Sequence, residues 1–330
     1  MQNTKRRATV LGGALLLLFF SFLLSMRYGS TYLGTREFLG AIFGQTGQKN
    51  ASLILRAIRL PRALAALLAG AGLALSGSLL QLVTDNALAA PNVLGINAGA
   101  GFFVILTLSL APTLYALLPF AAFFGAMLTA LLILLVSTRA DGSKSTTVLC
   151  GVALSALFGA GISFFSVLDA DVLSAYNDFS VGGFRGVTLP RLYAPAAVIV
   201  FCILCALFLA RRLQLFCLGD TLASSLGVRV KRIRILALML AAASAAAAVS
   251  FAGLLGFVGL VLPHTARKLA RHDVQLELVL SPIGGGILLL LADLAGRVLF
   301  APTEVPVGIF TALLGVPFFL TLILRRKRHA

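Results

Sequence analysis

Long apolar stretches separated by short polar connections dominate the pattern of this chain. A membrane-spanning helix needs about 20 mostly apolar residues, and ten stretches come close to that length. The candidate spans are residues 8–26, 60–83, 94–111, 117–137, 147–166, 191–210, 233–252, 254–271, 281–300 and 306–324. The pattern predicts an all-α, polytopic membrane protein with about ten transmembrane helices, in which residues 1–330 form a single domain.

Composition supports the same class of protein. Hydrophobic residues make up 59% of the chain and charged residues only 12%, which leaves too little polar surface for a soluble globule. Lys5, Arg6 and Arg7 precede the first apolar run, as in a signal peptide, but Ser25-Met26-Arg27 offers no small-x-small cleavage site. We therefore expect the first helix to be retained.

Positive charge is concentrated in the polar connections. The chain has 27 lysines and arginines against 11 acidic residues, a formal charge of +16. If the N-terminus is cytoplasmic, the inner connections collect 18 of the 27: Lys5, Arg6, Arg7, Arg139, Lys144, Arg211, Arg212, Arg229, Lys231, Arg232, Arg234, Arg267, Lys268, Arg271, Arg325, Arg326, Lys327 and Arg328. Cytoplasmic loops carry such an excess, so both termini are predicted to be cytoplasmic and nucleic-acid binding is not expected.

The outer segment between the first two spans departs from this rule. It has a single acidic residue, Glu37, and six basic residues: Arg27, Arg36, Lys49, Arg56, Arg59 and Arg62. One interpretation is a surface whose field attracts an acidic partner or an anionic ligand. The other is contact of long basic side chains with lipid head groups at the entrance of the helix.

Small residues recur at helix-packing spacing within two spans. They are Gly70, Gly72, Ser76 and Gly77 in the second span, and the alanine-rich run 241–248 in the seventh. Small side chains let helix backbones approach closely in a membrane. The pattern predicts a compact bundle but does not identify a transport path.

Two connections interrupt the apolar pattern in an unusual way. Residues 84–97 form a polar elbow broken by proline and glycine, and residues 167–190 contain three aspartates and the pair Gly182-Gly183. Irregular backbone at membrane depth is tolerated only where protein buries it or where it lines a watery cavity. Both segments are therefore candidate gate or vestibule elements, although 167–190 also fits an ordinary surface loop.

The longest inner connection, residues 211–232, contains a short amphipathic pattern. Asp220 can begin a helix that ends at Gly227, with Leu222, Ala223 and Leu226 on one side. Such a helix fits docking into a cytoplasmic subunit, and it equally fits a position on the membrane surface.

Several short motifs follow one another in a specific order. They are Arg59-Leu60-Pro61-Arg62, Ala74-Leu75-Ser76-Gly77, Asn86 to Pro91, Leu218-Gly219-Asp220, Gly256 to His264, Leu291-Ala292-Asp293 with Arg297, Glu304 to Gly308, and Gly315 to Phe319. Each motif is weak alone, but their order and spacing are specific. Over nearly its whole length the chain resembles the FecCD-type permease subunits of type II ABC importers, which serve ferric siderophores, haem and cobalamin.

The resemblance implies the type II ABC importer permease fold and a set of partners. A ten-helix subunit would dimerise with a second copy or a paralogue around a central pathway. Cytoplasmic ABC ATPase subunits would bind inside and a solute-binding protein outside, and the permease would have no cofactor of its own. The family's coupling helix to the ATPase falls on residues 219–228, with Gly219, Asp220, Ala223, Leu226 and Gly227 as the matching residues.

The resemblance also implies roles for residues at both ends of the bundle. It assigns binding-protein docking to Arg59, Arg62 and Arg297, and it assigns the inner gate and pathway to Asn86, Leu88 and Pro91. Independently of the resemblance, Asp293 and Arg297 lie four residues apart on one predicted helix, where an intrahelical ion pair would offset part of the cost of burying their charges. A buried pair that steadies helix packing explains Arg297 as well as docking does, and the two roles are compatible.

The expected function is that of a permease subunit in a bacterial ABC importer of the cytoplasmic (inner) membrane. It would translocate a ferric-siderophore-type iron complex while a separate subunit hydrolyses ATP. Haem and cobalamin remain alternatives, because the family often carries tryptophan near 176–184, where this chain has Tyr176, Phe179 and Phe184.

Other classes of protein find less support in the sequence. An ion-coupled secondary transporter would predict an inverted repeat with paired broken helices, and no convincing repeat is visible. A membrane-embedded assembly protein would need neither a pathway nor a coupling segment. The chain has no G-x-S-x-G or H-E-x-x-H motif, so no catalytic or metal residue is predicted, and His264 is expected to be a packing residue.

Overall fold

The computed structural model describes residues 2–31, 34–42, 49–139 and 144–326, and this part of the chain is built from helices joined by turns. The helices are α1 (Gln2–Arg27), α2 (Thr35–Ile42), α3 (Lys49–Leu53), α4 (Leu60–Thr84), α5 (Ile96–Leu110), α6 (Leu118–Arg139), α7 (Lys144–Leu168), α8 (Ala170–Val181), α9 (Leu189–Phe216), α10 (Asp220–Ser225), α11 (Val230–Ala252), α12 (Val258–Ala270), α13 (Val274–Val298) and α14 (Val307–Arg326). Lys327 and Arg328, counted above among the inner basic residues, lie outside the described residues.

The ten predicted spans overlap ten of these helices, namely α1, α4 to α7, α9 and α11 to α14. In the described part of the chain, seven helices are long and apolar enough to cross a membrane by themselves. Of the other three, α5 has 15 residues, α12 has 13, and α14 contains the apolar stretch Val307–Thr321. The prediction of an all-α, polytopic membrane protein is confirmed.

Connection 167–190 contains a helix, α8, that the sequence pattern did not predict. Asp169 caps its first turn, because the Asp169 carboxylate accepts hydrogen bonds from the backbone N–H groups of Asp171 (2.8 Å) and Val172 (3.3 Å). Val172 and Tyr176, one helical turn apart, are buried against the bundle. The segment is therefore a short packed helix rather than a surface loop.

Helix α13 starts at Val274, before the predicted start at 281. Asp273 caps it by accepting a hydrogen bond from the N–H of Leu276 (3.3 Å). The charge of Glu277 does not end the span, because Glu277 is buried and accepts a hydrogen bond from Arg267 Nε at 3.0 Å. Once the carboxylate is paired, the polar first turn can continue into the apolar helix.

Helix α4 is the centre of the bundle, with α1, α9, α11, α12 and α13 packed around it. A Cβ atom on Gly70 would clash with the backbone of Gly285 in α13, and one on Gly77 would clash with the backbone of Gly259 in α12. The hydroxyl of Ser244 in α11 donates a hydrogen bond to the Gly72 carbonyl (2.9 Å). The prediction of close helix packing at these small residues is confirmed.

This packing predicts that Gly70→Ala lowers the free energy of unfolding by about 2 kcal/mol, because the methyl group meets backbone atoms that cannot rotate away. Gly159→Ala in α7 is the matched control, since a Cβ there has no neighbour within 4 Å. Thermal unfolding of the purified chain in detergent measures both. Equal melting temperatures for the two variants would contradict the close α4–α13 contact.

Candidate functional site

A cavity of about 910 Å³ opens at one end of the bundle, where α4 begins. This end, marked by Arg62, is called the outer end in keeping with the predicted topology, and the opposite end, at α10, the inner end. The three arginines predicted for docking all line the cavity, and Arg185 and Glu304 join them. The fold thus brings together residues from α4, α13 and two connections that are far apart in sequence.

The carboxylate of Asp293 lies behind this cavity and is shared by two of the arginines. Arg62 donates from Nε (3.0 Å) and Nη2 (2.9 Å) to Oδ1, and Arg297 Nε lies 3.0 Å from Oδ2. The expected intrahelical pair of Asp293 and Arg297 is confirmed. The ion pair of Arg62 with Asp293 was not predicted, because it joins α4 to α13 and the spacing of nearby residues gives no signal for it. Asp293 is 2% exposed, and burial at this depth requires such partners.

Arg59 holds the end of α1 to the start of α4. It lies in a π-helical turn, Ile54–Arg59, and is 3% exposed. Its guanidinium donates hydrogen bonds to the backbone carbonyls of Met26 (2.9 Å), Arg27 (2.7 Å) and Thr31 (2.5 Å). Carbonyl groups at a helix C-terminus lack intrahelical partners, and an arginine can satisfy them. Arg59 therefore stabilises the fold while its charge faces no carboxylate in the described residues.

Glu304 and Arg185 occupy the more accessible side of the cavity. Glu304 is 21% exposed and accepts a hydrogen bond from Arg62 Nη1 at 2.8 Å. Burial alone would raise the pKa of Glu304, but the hydrogen bond and charge of Arg62 outweigh it and hold the pKa below its ordinary value. Glu304 is therefore ionised throughout the neutral range. Arg185 is exposed, in the turn after α8.

The outer basic segment divides into buried and exposed side chains. In this segment Arg59 is buried and Arg62 is largely buried, whereas Arg36 and Arg56 are exposed. The four cavity arginines face two carboxylates, those of Asp293 and Glu304, so the cluster keeps an excess of two positive charges. An anion entering the cavity would be attracted by this excess and would meet Arg185 at the surface.

The inner end presents the short helix α10, which begins at Asp220 as predicted and is followed by Gly227 with φ of +82°. Arg234 in α11 holds it in place through a salt bridge to Asp220 (2.6 Å). The predicted helix is confirmed, but its apolar side is divided. Ala223 is fully buried against the bundle, whereas Leu222 and Leu226 are 57% and 61% exposed.

The elbow at the inner end of α4 is an ordered turn. Asp85 ends α4 in a left-handed conformation, and the side chain of Asn86 accepts a hydrogen bond from the N–H of Leu88 at 3.0 Å. Pro91 is buried beside Gly259 of α12, while Asn86 and Leu88 are half-buried. The residues predicted for the inner gate therefore lie together, at the end of the bundle that also carries α10.

The FecCD transport family matches residues 16–325, nearly the whole chain. The chain belongs to the FecCD transport family. One relative is the Fe(3+)-citrate import system permease protein of Bacillus subtilis (strain 168), 38% identical over 273 residues that cover 82% of this chain and 81% of the relative. Another is the ferric enterobactin transport system permease protein of Escherichia coli (strain K12), 34% identical over 325 residues that cover 98% and 97% of the two chains.

A solved structure supports the family assignment at the level of the fold. It is an inward-facing protein described as a metal-chelate type ABC transporter, with a TM-score of 0.86 and 30% sequence identity. The match covers 96% of this FecCD family member and 99% of the solved chain. The family resemblance of the sequence motifs is confirmed, and the chain has the fold of a type II ABC importer permease.

The shared carboxylate predicts different effects of two neutralising substitutions in this FecCD protein. Asp293→Asn leaves Arg62 and Arg297 without their buried partner and should lower the free energy of unfolding by about 3 kcal/mol. Glu304→Gln, the control at the more exposed partner of Arg62, should cost less than about 1 kcal/mol. Thermal unfolding in detergent measures the stability of both variants. Equal losses of stability would show that Asp293 is not the central partner of the two arginines.

Proposed function

We propose that this chain is the membrane-spanning permease subunit of a bacterial ABC importer that carries a ferric-siderophore-type iron complex across the cytoplasmic membrane. One arrangement carries the proposal: a cationic cavity at one end of the bundle and a short helix with two exposed leucines at the other. The cationic cavity suits an acidic partner protein outside the membrane, and the helix with exposed leucines suits an ATPase inside the cell. The permease supplies the path and its gating, and ATP is hydrolysed on the separate subunit.

The orientation that fits this function places both termini and α10 in the cytoplasm, in line with the excess of basic residues at that end. The protein would work as a dimer with a second copy or a paralogue, with the pathway between the two. Iron travels as a chelate and is the cargo of the transporter.

The outer cavity is the proposed docking site for the solute-binding protein, with Arg59, Arg62 and Arg297 as its cationic floor. Their hydrogen bonds within the chain hold the guanidinium groups in fixed positions. A carboxylate on the partner would be attracted first by exposed Arg185 and then by the floor. Electrostatic attraction of this kind raises the rate of association more than it raises affinity.

The inner helix α10 is the proposed coupling helix to the ATPase. Gly219 and Gly227 bound it in conformations with positive φ, and Ala223 and Asp220 attach it to the bundle through burial and the salt bridge to Arg234. Leu222 and Leu226 are then free to enter a cleft of the partner. A firmly attached helix can transmit motion of the ATPase to the elbow at Asn86, Leu88 and Pro91, which is the proposed inner gate.

The two relatives described above are named for ferric citrate and ferric enterobactin, which supports iron complexes as the ligand class. Ferric-siderophore transport is therefore proposed ahead of haem or cobalamin transport. Competition for uptake among the three ligands, each with a matching binding protein, discriminates between them.

The docking proposal predicts that Arg185→Glu slows association with the loaded solute-binding protein about tenfold at low salt, with a smaller effect at high salt. Arg191→Glu is the control, because Arg191 is also exposed near the outer end but does not line the cavity. Arg59 and Arg62 are unsuitable for charge reversal, since both hold the fold together. Equal association rates for the two variants would contradict docking at this cavity.

The coupling proposal predicts that Leu222→Ser with Leu226→Ser weakens binding of the ATPase at least tenfold, because each leucine buried in a partner contributes roughly 1.5–3 kcal/mol. Leu110→Ser is the control. Leu110 is exposed at the C-terminal end of α5, whereas the elbow precedes the N-terminal end of that helix. Co-purification and ATPase activity in liposomes measure the effect. Full ATPase recruitment by the double variant would exclude α10 as the coupling helix.

A further inference from the structure

A second cationic surface lies at the inner end and is lined by no residue of α10. It is built where the start of α1, the end of α9 and the turn between α12 and α13 meet, and its charged residues are Arg6, Arg7, Arg211, Arg271 and Asp273. Two cavities of about 280 Å³ and 450 Å³ adjoin there and share Arg7, Arg271 and Asp273. This surface is called the basic groove.

The charges of the basic groove are only partly neutralised within the chain. Arg7 forms a salt bridge with Asp273, and Arg6 donates a hydrogen bond to the carbonyl of Leu269 (2.9 Å). The side chains of Arg211 and Arg271 are exposed and have no hydrogen bond or ion pair among the described residues. Four arginines therefore face one carboxylate, so the basic groove keeps a net positive charge that a bound anion would balance.

The turn that presents Arg271 is held in an uncommon conformation. Arg271 and His272 both have positive φ, of 50° and 64°, a region that side-chain-bearing residues rarely adopt. Gln214 of α9 fixes this turn: its side-chain amide donates to the His272 carbonyl (3.0 Å) and accepts from the N–H of Val274 (2.8 Å). The position of Arg271 beside Arg7 and Arg211 is therefore built into the fold.

Beside the basic groove, α1 presents an apolar surface. Leu17 is exposed and lies about three turns after Arg6 on the same side of the helix, within the depth of one membrane leaflet. Val10, which lines the groove, and Leu11 come between Arg6 and Leu17 in the sequence and pack against the cluster of Ala266, Ala270 and Leu280. Cationic side chains at the end of an exposed apolar helix match a molecule with an anionic head and apolar chains.

From this combination we infer that the basic groove binds the phosphate head group of an anionic phospholipid, with the acyl chains along α1. Basic pockets between transmembrane helices at the cytoplasmic side are suited to such head groups. The site is separate from the outer cavity and from α10, and it would tie α1, α9 and the α12–α13 turn together through a lipid. A soluble phosphate shares the head-group chemistry but cannot use the apolar surface.

The test uses the full chain purified in neutral detergent and analysed by native mass spectrometry. Dioleoylphosphatidylglycerol, dioleoylphosphatidylcholine and inorganic phosphate are added separately. We expect at least tenfold higher occupancy by phosphatidylglycerol than by phosphatidylcholine, and no saturable binding of inorganic phosphate. Equal occupancy by the two lipids would overturn the inference, and so would displacement of phosphatidylglycerol by inorganic phosphate.

Arg211→Gln with Arg271→Gln is the informative variant, because neither side chain holds the fold together through a described hydrogen bond. It should reduce phosphatidylglycerol occupancy at least fivefold. Arg139→Gln, at an exposed arginine that lines neither cavity, should leave occupancy unchanged. If the double variant keeps its phosphatidylglycerol occupancy but no longer co-purifies with the ATPase, the groove is a protein-docking surface and the lipid inference is wrong.

Discussion

A single buried carboxylate organises the outer end of this protein. Asp293 is bound by Arg62 from α4 and by Arg297 from its own helix, and Arg297 also donates to the hydroxyl of Ser25 in α1 (2.8 Å). A charged group in a membrane helix is unfavourable unless it is paired or solvated, so these bonds fix α1, α4 and α13 relative to one another. The close contact of Gly70 with Gly285 lies farther along the same two helices.

This constraint explains why the cavity arginines combine two roles. The side chains of Arg59, Arg62 and Arg297 are bound within the protein, yet carboxylates balance their charge only in part, so a fixed positive field remains at the cavity. The inner end also combines attachment to the bundle with exposure to a partner. Ala223 and Asp220 attach α10 to the bundle, while Leu222 and Leu226 are exposed. At both ends, buried contacts position the groups that a partner would meet.

The sequence predicts the parts of this structure that depend on local pattern. Apolar runs locate ten of the helices, four-residue spacing predicts the Asp293–Arg297 pair, and Asp220 and Gly227 bound α10. The bonds from Arg62 to Asp293 and from Arg59 to the end of α1 join residues distant in sequence, so no local signal predicts them. Helix α8 was missed because its aspartates resemble a loop, and the burial of Ala223 beside exposed leucines depends on tertiary contacts.

The most direct test of the proposed importer is uptake of a radioactive ferric siderophore into proteoliposomes. These contain the chain with its ABC ATPase, and the siderophore is supplied on the loaded solute-binding protein. We expect uptake that requires ATP on the ATPase side, requires the binding protein and persists when ion gradients are abolished. Uptake without the ATPase, driven by a proton or sodium gradient, would contradict the proposal and identify a secondary transporter.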